Sequence, residues 1–269
     1  MKKIILISTF MLSSSISAFA NQSELKGEVK SFSKSLAYRL GVTYTTNLKD
    51  TSLSEHFSSV VYSPVISSNY FENFPINVSF NFSQSNNSDE SFSFGNIVVS
   101  NSGTIGKGFM RSHSIILPTS KNSRDIKNSL GNLTNTLIYN YSKDIFKDLS
   151  FSASFAVTYN HGFHQYKTDL YGMSNIQSLF TETTNLGLSF KDFSFSSYFG
   201  LAQAFSYSNN LVESYHLGHS LGYGVSKNLA FSILYSSGGS LLAPNGEDLG
   251  IKLFDKDNDT FSFNANYTF

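Results

Sequence analysis

Apolar and polar residues alternate over many stretches of the chain, and the alternation is clearest in the last ten residues. Phe261, Phe263, Ala265, Tyr267 and Phe269 occupy every second position there, with Ser, Asn and Thr between them. A period of two predicts a β-strand with one apolar and one polar face. The stretch has about the length, roughly 9–11 residues, that a tilted strand needs to cross a bilayer.

The same pattern recurs along the chain and predicts about twelve strands. The cleanest internal one runs over 149–159, whereas the parity is unclear over 57–66 and 108–117. Phe92, Phe94 and Val98 are predicted to belong to the strand that follows the loop at 86–90. Because every backbone polar group inside a bilayer must be paired, such a sheet has to close on itself. We therefore expect an all-β fold, an antiparallel up-and-down transmembrane barrel of about twelve strands, with ten or fourteen as alternatives.

The predicted connections differ in length in an ordered way. Short ones at 143–148, 191–192 and 226–228 alternate with long ones around 118–130, 161–180 and 238–258. If the first strand rises from the periplasm, the short connections are periplasmic and the long ones lie outside the cell. This is the loop asymmetry of outer-membrane barrels.

The terminal stretch, which ends on an aromatic residue, resembles the C-terminal strand of Gram-negative outer-membrane β-barrels. The resemblance implies that Phe261, Phe263, Tyr267 and Phe269 form the signal that the barrel assembly machinery recognises. It also implies a location in the outer membrane, with lipid as a partner of the outer face.

The beginning of the chain has the features of a secretory signal peptide. Lys2 and Lys3 precede a short apolar run, and Ala18-Phe19-Ala20 provides a small-residue cleavage site. We expect cleavage after Ala20, a flexible periplasmic segment over 21–35, and the barrel over 36–269.

The composition favours a barrel over a water-soluble domain. Aromatic residues make up 15% and charged residues only 14% of the chain, whereas soluble domains carry about 25% charged residues. A secreted soluble β-sandwich is the alternative. Basic and acidic residues are balanced at 19 each, so the chain lacks the basic surplus needed to bind nucleic acid. It contains no Cys, which excludes disulfides and thiolate metal sites.

Polar residues on the inward parity suggest the function. Asparagines and two titratable groups are predicted to line the lumen: Arg39, Asn77, Asn81, Asn140, Asn160, Asn185, His216, Asn264 and Asn266. A neutral lumen of small polar side chains favours a passive, porin-like channel for small solutes with weak ion selectivity. The alternative is a structural or surface-contact barrel that acts through the loops at 161–180 and 238–258. An outer-membrane enzyme is the third possibility.

The sequence predicts no catalytic residues and no cofactor. Outer-membrane phospholipases and lipid A deacylases resemble one another in a His-x-Ser pair, which puts both side chains on one strand face. Here His113-Ser114 and His219-Ser220 are adjacent, so their side chains point to opposite faces. The Asp-x-His pair of outer-membrane proteases is missing from the sequence.

Two groups of residues leave cation binding open, although no metal site is predicted. His161 and His164 could share an ion with Asp169 or Glu182 if the loop folds back. Asp255, Asp257 and Asp259 alternate as in a calcium loop. However, Thr260 stands where that loop needs Gly, and Asn266 stands where it needs Glu.

Overall fold

The computed structural model describes residues 36–48, 57–68, 75–85, 92–242, 249–255 and 259–269. The predicted signal peptide and periplasmic segment lie outside them. The strands are β1 (Leu36–Asn47), β2 (Ser58–Ser68), β3 (Ile76–Ser79), β4 (Phe82–Ser85), β5 (Ser93–Phe94), β6 (Ile97–Gly106), β7 (Phe109–Leu117), β8 (Ser129–Phe146), β9 (Leu149–His164), β10 (Ile176–Phe190), β11 (Phe193–Ser206), β12 (Leu211–Gly224), β13 (Leu229–Ser240) and β14 (Thr260–Thr268).

The sheet is antiparallel and closes on itself. β1 pairs with β14 on one side and with β2 on the other, and β6 to β14 pair in sequence order. The closed ring contains twelve strands, with β4 and β5 outside it. The prediction of an antiparallel barrel of about twelve strands is therefore confirmed. Twelve strands about 4.8 Å apart and tilted about 40° make a wall roughly 24 Å across between opposite backbones.

β3 and β4 pair with β2 one after the other along its length, and the gap between them lies opposite a proline of β2. Both keep the same register against β2, as the pairs Val65↔Ser79 and Tyr62↔Phe82 show. Between them, the Phe80 N–H donates to the Pro64 carbonyl oxygen at 3.4 Å. Proline has no N–H to return a bond to the Phe80 carbonyl. The ladder is therefore interrupted at this point.

A β-bulge separates β5 from β6. Ser79 pairs with Val98, but Phe82 pairs with Phe94, so the register shifts by one residue between the two contacts. The Gly95 N–H donates to the Asn81 carbonyl oxygen at 2.7 Å within the shift. One extra residue exchanges the two faces of a strand. Val98 therefore lies on the opposite face from Phe94.

The hairpins from β8 to β11 are longer than the sequence pattern predicted. β9 continues to His164 and β10 begins at Ile176, so the connection is 165–175 rather than 161–180. β8 extends from 129 to 146. It therefore includes the end of the loop predicted at 118–130 and the beginning of the turn predicted at 143–148. These strands of 14 to 18 residues exceed the roughly 9–11 that cross a bilayer. Parts of these strands therefore project beyond it.

The two ends of the barrel differ in their connections. At one end, here called the short-turn end, the chain turns at 107–108, 147–148, 191–192 and 225–228. At the other, the long-loop end, lie 118–128, 165–175 and 241–259. The sole helical element in the described residues is one π-turn, Asn122–Ile126. No helix among those residues is long and apolar enough to cross a membrane.

Candidate functional site: the inner face of the barrel

All nine residues predicted to face inward share one face of the sheet. Gly41↔Asn266 and Thr43↔Asn264 define that face on β1 and β14, and the register carries it around the ring. It is opposite to the face that carries the exposed aromatic residues. The set comprises Arg39, Asn77, Asn81, Asn140, Asn160, Asn185, His216, Asn264 and Asn266. Their role in lining a solute passage stays a prediction.

Small polar side chains on this face bond to each other across neighbouring strands. A hydrogen bond joins the Thr45 and Ser262 hydroxyls at 2.8 Å. The other cross-strand bonds of this kind are Thr43–Asn264 (2.7 Å), Thr136–Thr158 (3.0 Å), Asn160–Thr134 (2.6 Å), Ser196–Ser220 (2.8 Å) and Ser236–Thr260 (2.7 Å). These groups satisfy one another's hydrogen bonds, so the wall is polar where small side chains line it.

Two aromatic rings on the inner face lie against glycines of the neighbouring strand. Tyr198 is paired with Gly218, and His216 is paired with Gly200. A Cβ atom at Gly218 would come within 2.6 Å of the Tyr198 ring. The His216 Nε2 also contacts the Thr183 hydroxyl at 3.3 Å. The missing side chains therefore let both rings lie along the wall instead of projecting across the lumen. Parity alone identified His216 but gave no reason to single out Tyr198.

Charge is scarce on this face. Within the described strands, the register places two charged residues there, Arg39 on β1 and Asp144 on β8. Asp144 was missed because its segment was assigned to a turn. Opposite charges in an otherwise neutral wall give a weak net field, since the sign of a pore's selectivity follows its lining charges.

An apolar row crosses one part of the inner face. The register links Val65 to Ser79, Ser79 to Val98, and Val98 to Ile116. β2 and β7 therefore carry apolar residues on both faces. This explains why their parity was unclear in the sequence, where a strand that is apolar on both sides shows no alternation.

The two His-Ser pairs do not share a face. His113 and His219 lie on the outer face, and the serines that follow them lie on the inner face. His113 Nδ1 hydrogen bonds with Asn135 Oδ1 at 2.6 Å. His219 is stacked between Phe195 and Tyr235, with ring centroids 6.4 and 6.1 Å away. Neither histidine is positioned to activate its neighbouring serine.

His161 and His164 cannot hold one ion between them. His161 is on the outer face, where its Nδ1 lies 3.3 Å from the Ser178 hydroxyl. His164 is on the inner face and packs edge-on against Tyr207. Asp169 instead accepts hydrogen bonds from two backbone N–H groups of its own loop. The described residues contain no group of three or more His, Cys, Asp or Glu side chains that could hold a metal ion.

Comparison with solved structures places this geometry among known folds. The barrel is similar to an outer membrane channel from Pseudomonas putida F1, with a TM-score of 0.59, 8% sequence identity, and coverage of 92% of this chain and 100% of that chain. The chain has the fold of an outer-membrane β-barrel. Two porins give weaker matches to this barrel. KdgM has a TM-score of 0.47 and 14% identity, covering 85% of this chain and 99% of its own. NanC has a TM-score of 0.46 and 10% identity, covering 86% and 99%. No protein-family model and no curated relative matches the sequence.

Proposed function

We propose that the protein is a passive channel of the bacterial outer membrane that passes small uncharged solutes. The observation that carries the proposal is the inner face, where Ser, Thr, Asn and Gly predominate. The described strands contribute two charged residues to this face, Arg39 and Asp144. Short hydroxyl and amide groups offer hydrogen bonds to a passing solute without closing the lumen. The outer-membrane barrel fold supports the proposed location, with lipid at the outer face and the assembly machinery as the partner during insertion.

Single-channel recording tests the proposal. The refolded mature chain, residues 21–269, is incorporated into a planar bilayer beside an Arg39→Ala variant. We expect discrete, reproducible openings with a conductance that the substitution changes. A protein that is demonstrably folded and inserted but gives no openings would overturn the channel proposal. The chain has no predicted catalytic residues, and we propose no enzymatic role.

A second candidate function is contact with an outside partner through the loops. Residues 122–128, 165–175 and 207–208, here called the cap, are joined by hydrogen bonds at the long-loop end. Leu170 N–H donates to the Ile126 carbonyl at 2.9 Å, and the Asn175 side-chain amide donates to the Lys127 and Tyr166 carbonyls, both at 3.1 Å. Exposed Tyr166, Leu170 and Tyr171 give the cap an apolar surface. Normal conductance in a variant with polar residues at these three positions would separate this function from transport.

A further inference from the structure

Residues 249–255 of the connection after β13 lie against the outside of the barrel. Residues 249–255, here called the strap, begin with a bridge between Leu242 and Leu249. The hydroxyl of Tyr215, a residue of the outer face, accepts from the Lys252 N–H at 2.9 Å and lies 3.2 Å from the Lys252 carbonyl. The strap is therefore held to the outer wall and not to the lumen.

The strap contacts one of the two hydrophobic side chains that are buried in the described part of the chain, Tyr215. Tyr215 and Leu217 are 3% and 4% exposed, although both belong to the outer face of β12. The strap itself presents Leu253 and Phe254, which are 77% and 67% exposed. Something must hold this segment in place, because its own apolar side chains point away from the wall.

The strap is anchored beside a carboxylate that is completely buried. Asp259 is 0% exposed. Its Oδ2 accepts from the Tyr235 hydroxyl at 2.8 Å and from the Asp255 N–H at 2.7 Å, but its Oδ1 has no hydrogen-bond partner among the described residues. Ser237 is 5% exposed, and its hydroxyl oxygen has no partner either. Extending the Ser236↔Thr260 register by one residue places Ser237 opposite Asp259.

The site has more acceptors than donors. The Tyr235 hydroxyl lies 2.8 Å from Asp259 Oδ2 and 2.9 Å from the Leu253 carbonyl oxygen, yet it has one hydrogen to give. The ammonium of Lys252 is 2.9 Å from Asp255 Oδ2, so this cation serves Asp255 rather than Asp259. A buried carboxylate without a counter-charge destabilises the folded state. A cation among these oxygens would remove that destabilisation.

We propose that Asp259, Asp255, the Leu253 carbonyl and the Ser237 hydroxyl form a Ca²⁺ site that fastens the strap to the outer wall. All the ligand atoms are oxygens, which hard cations prefer. Their arrangement on a loop is less regular than the octahedral geometry that Mg²⁺ requires, which favours Ca²⁺. Two carboxylates and neutral oxygens, completed by water, suit an affinity on the order of 10⁻⁴–10⁻³ M, as in other extracellular calcium sites.

Terbium luminescence provides a direct test. Tb³⁺ substitutes for Ca²⁺, and its emission is sensitised by nearby tyrosines. Tyr235 contacts Asp259 directly, and the chain has no Trp to compete for excitation. The refolded chain is titrated with Tb³⁺ in zwitterionic detergent micelles, free of lipopolysaccharide and phosphate. We expect saturable emission that millimolar Ca²⁺ displaces. Emission that does not saturate, or that Ca²⁺ fails to displace, would overturn the site.

Three variants and a control locate the signal. Asp259→Asn should weaken Tb³⁺ affinity at least tenfold, and Ser237→Ala several-fold, with folding of both verified by heat-dependent gel mobility. Lys252→Met should tighten binding, because the ammonium competes for Asp255; damage to the fold would not do this. Asp169→Asn, in a distant loop, should leave affinity unchanged. If Asp259→Asn does not fold, Ser237→Ala and Lys252→Met decide, and wild-type affinity in both would reject the proposal.

Discussion

Glycine at two inner-face positions controls how far the aromatic side chains reach into the lumen. Gly218→Ala would place a Cβ 2.6 Å from the Tyr198 ring, so we expect the ring to swing away from the wall. Overpacking of this kind costs about 1–3 kcal/mol. The variant should therefore show a lower free energy of unfolding and a smaller single-channel conductance.

A matched glycine and a double variant separate the ring's effect from general damage. At Gly224, also on the inner face, an added Cβ would meet its nearest atom at 3.8 Å, so Gly224→Ala should behave as wild type. Replacing Tyr198 by Ala in the Gly218→Ala background should restore the conductance. If the double variant stays as narrow as Gly218→Ala, the ring does not limit the passage.

Arg111 is the charged side chain least expected on the outer face. It lies between Gly103 and Leu137 in the ladder, inside the apolar band, and its guanidinium makes no ion pair within the described ranges. Arg at mid-depth costs roughly 2–4 kcal/mol in lipid, falling to about 0–1 near the interface. We expect Arg111→Leu to raise the free energy of unfolding in phosphatidylcholine vesicles by roughly 2 kcal/mol. Lys143→Leu, on the same face near the short-turn end, should change it by less. A loss of stability in Arg111→Leu would mean that Arg111 makes stabilising contacts within the protein or with the lipid headgroups.

Among the strands, β2 contains a correctable defect. Pro64 leaves the Phe80 carbonyl without its ladder N–H, at the gap between β3 and β4. Pro64→Ala supplies that donor, a gain of about 1 kcal/mol that is partly offset by the entropy the proline removes from the unfolded chain. Hydrogen exchange at residues 80–83 should therefore slow down. Pro118→Ala, in a connection, is the control and should leave this exchange unchanged. Unchanged exchange in Pro64→Ala would show that the gap has another cause.

Element prediction failed where the chain departs from a strict period of two. The bulge at Gly95 and Asn96 could not be read from the sequence, because one extra residue leaves the composition of both flanking strands unaltered. The sequence predicts loops at the long ends of β8 and β9, because beyond the bilayer neither face needs to be apolar. Apolar and polar residues alternate where one face of a strand contacts lipid. The alternation is lost where both faces contact water.

The cap should loosen in acid because of His164. This residue is the last of β9, well beyond the roughly 9–11 residues that cross a bilayer. Burial, and then the positive charge of Lys127, lower the pKa of His164 below its ordinary value of 6.5. Opening the cap restores the ordinary value, so the open form binds more protons in this range. As far as it depends on His164, the stability of the closed cap is greatest above pH 6.5 and falls as the pH drops toward the lowered pKa of His164.

Limited proteolysis of the folded protein measures this effect. Cleavage within 165–175 should become faster between pH 7.5 and pH 5, while the barrel remains intact. His164→Phe, which keeps an aromatic contact with Tyr207 but has no titratable group, should lose the dependence. Identical pH profiles for the two proteins would exclude His164 as the cause.

At the scale of the whole molecule, lipid contact made the barrel predictable and left its ends unpredictable. The strand number and closure follow from a repeated pattern and from the need to pair every backbone group in the membrane. The contact of Tyr215 with Lys252, and the hydrogen bonds of Asn175 in the cap, join segments 37 and 48 residues apart. Such contacts depend on loop conformations that have no period to detect. Alternation along the sequence predicts which residues face inward. It does not predict that an aromatic ring packs against a glycine, because that contact depends on which residues are paired across two strands.

Ion selectivity tests the lumen as a whole. With one cation and one anion on the inner face of the described strands, Arg39 and Asp144, we expect a reversal potential close to zero in a tenfold KCl gradient. Arg39→Ala should shift the potential toward cation preference, and Asp144→Asn toward anion preference, because lining charges decide which ion enters. The double variant should return near zero with a conductance similar to wild type. A strong preference in the wild type, or two single variants that shift in the same direction, would mean that charges outside the described strands dominate the passage.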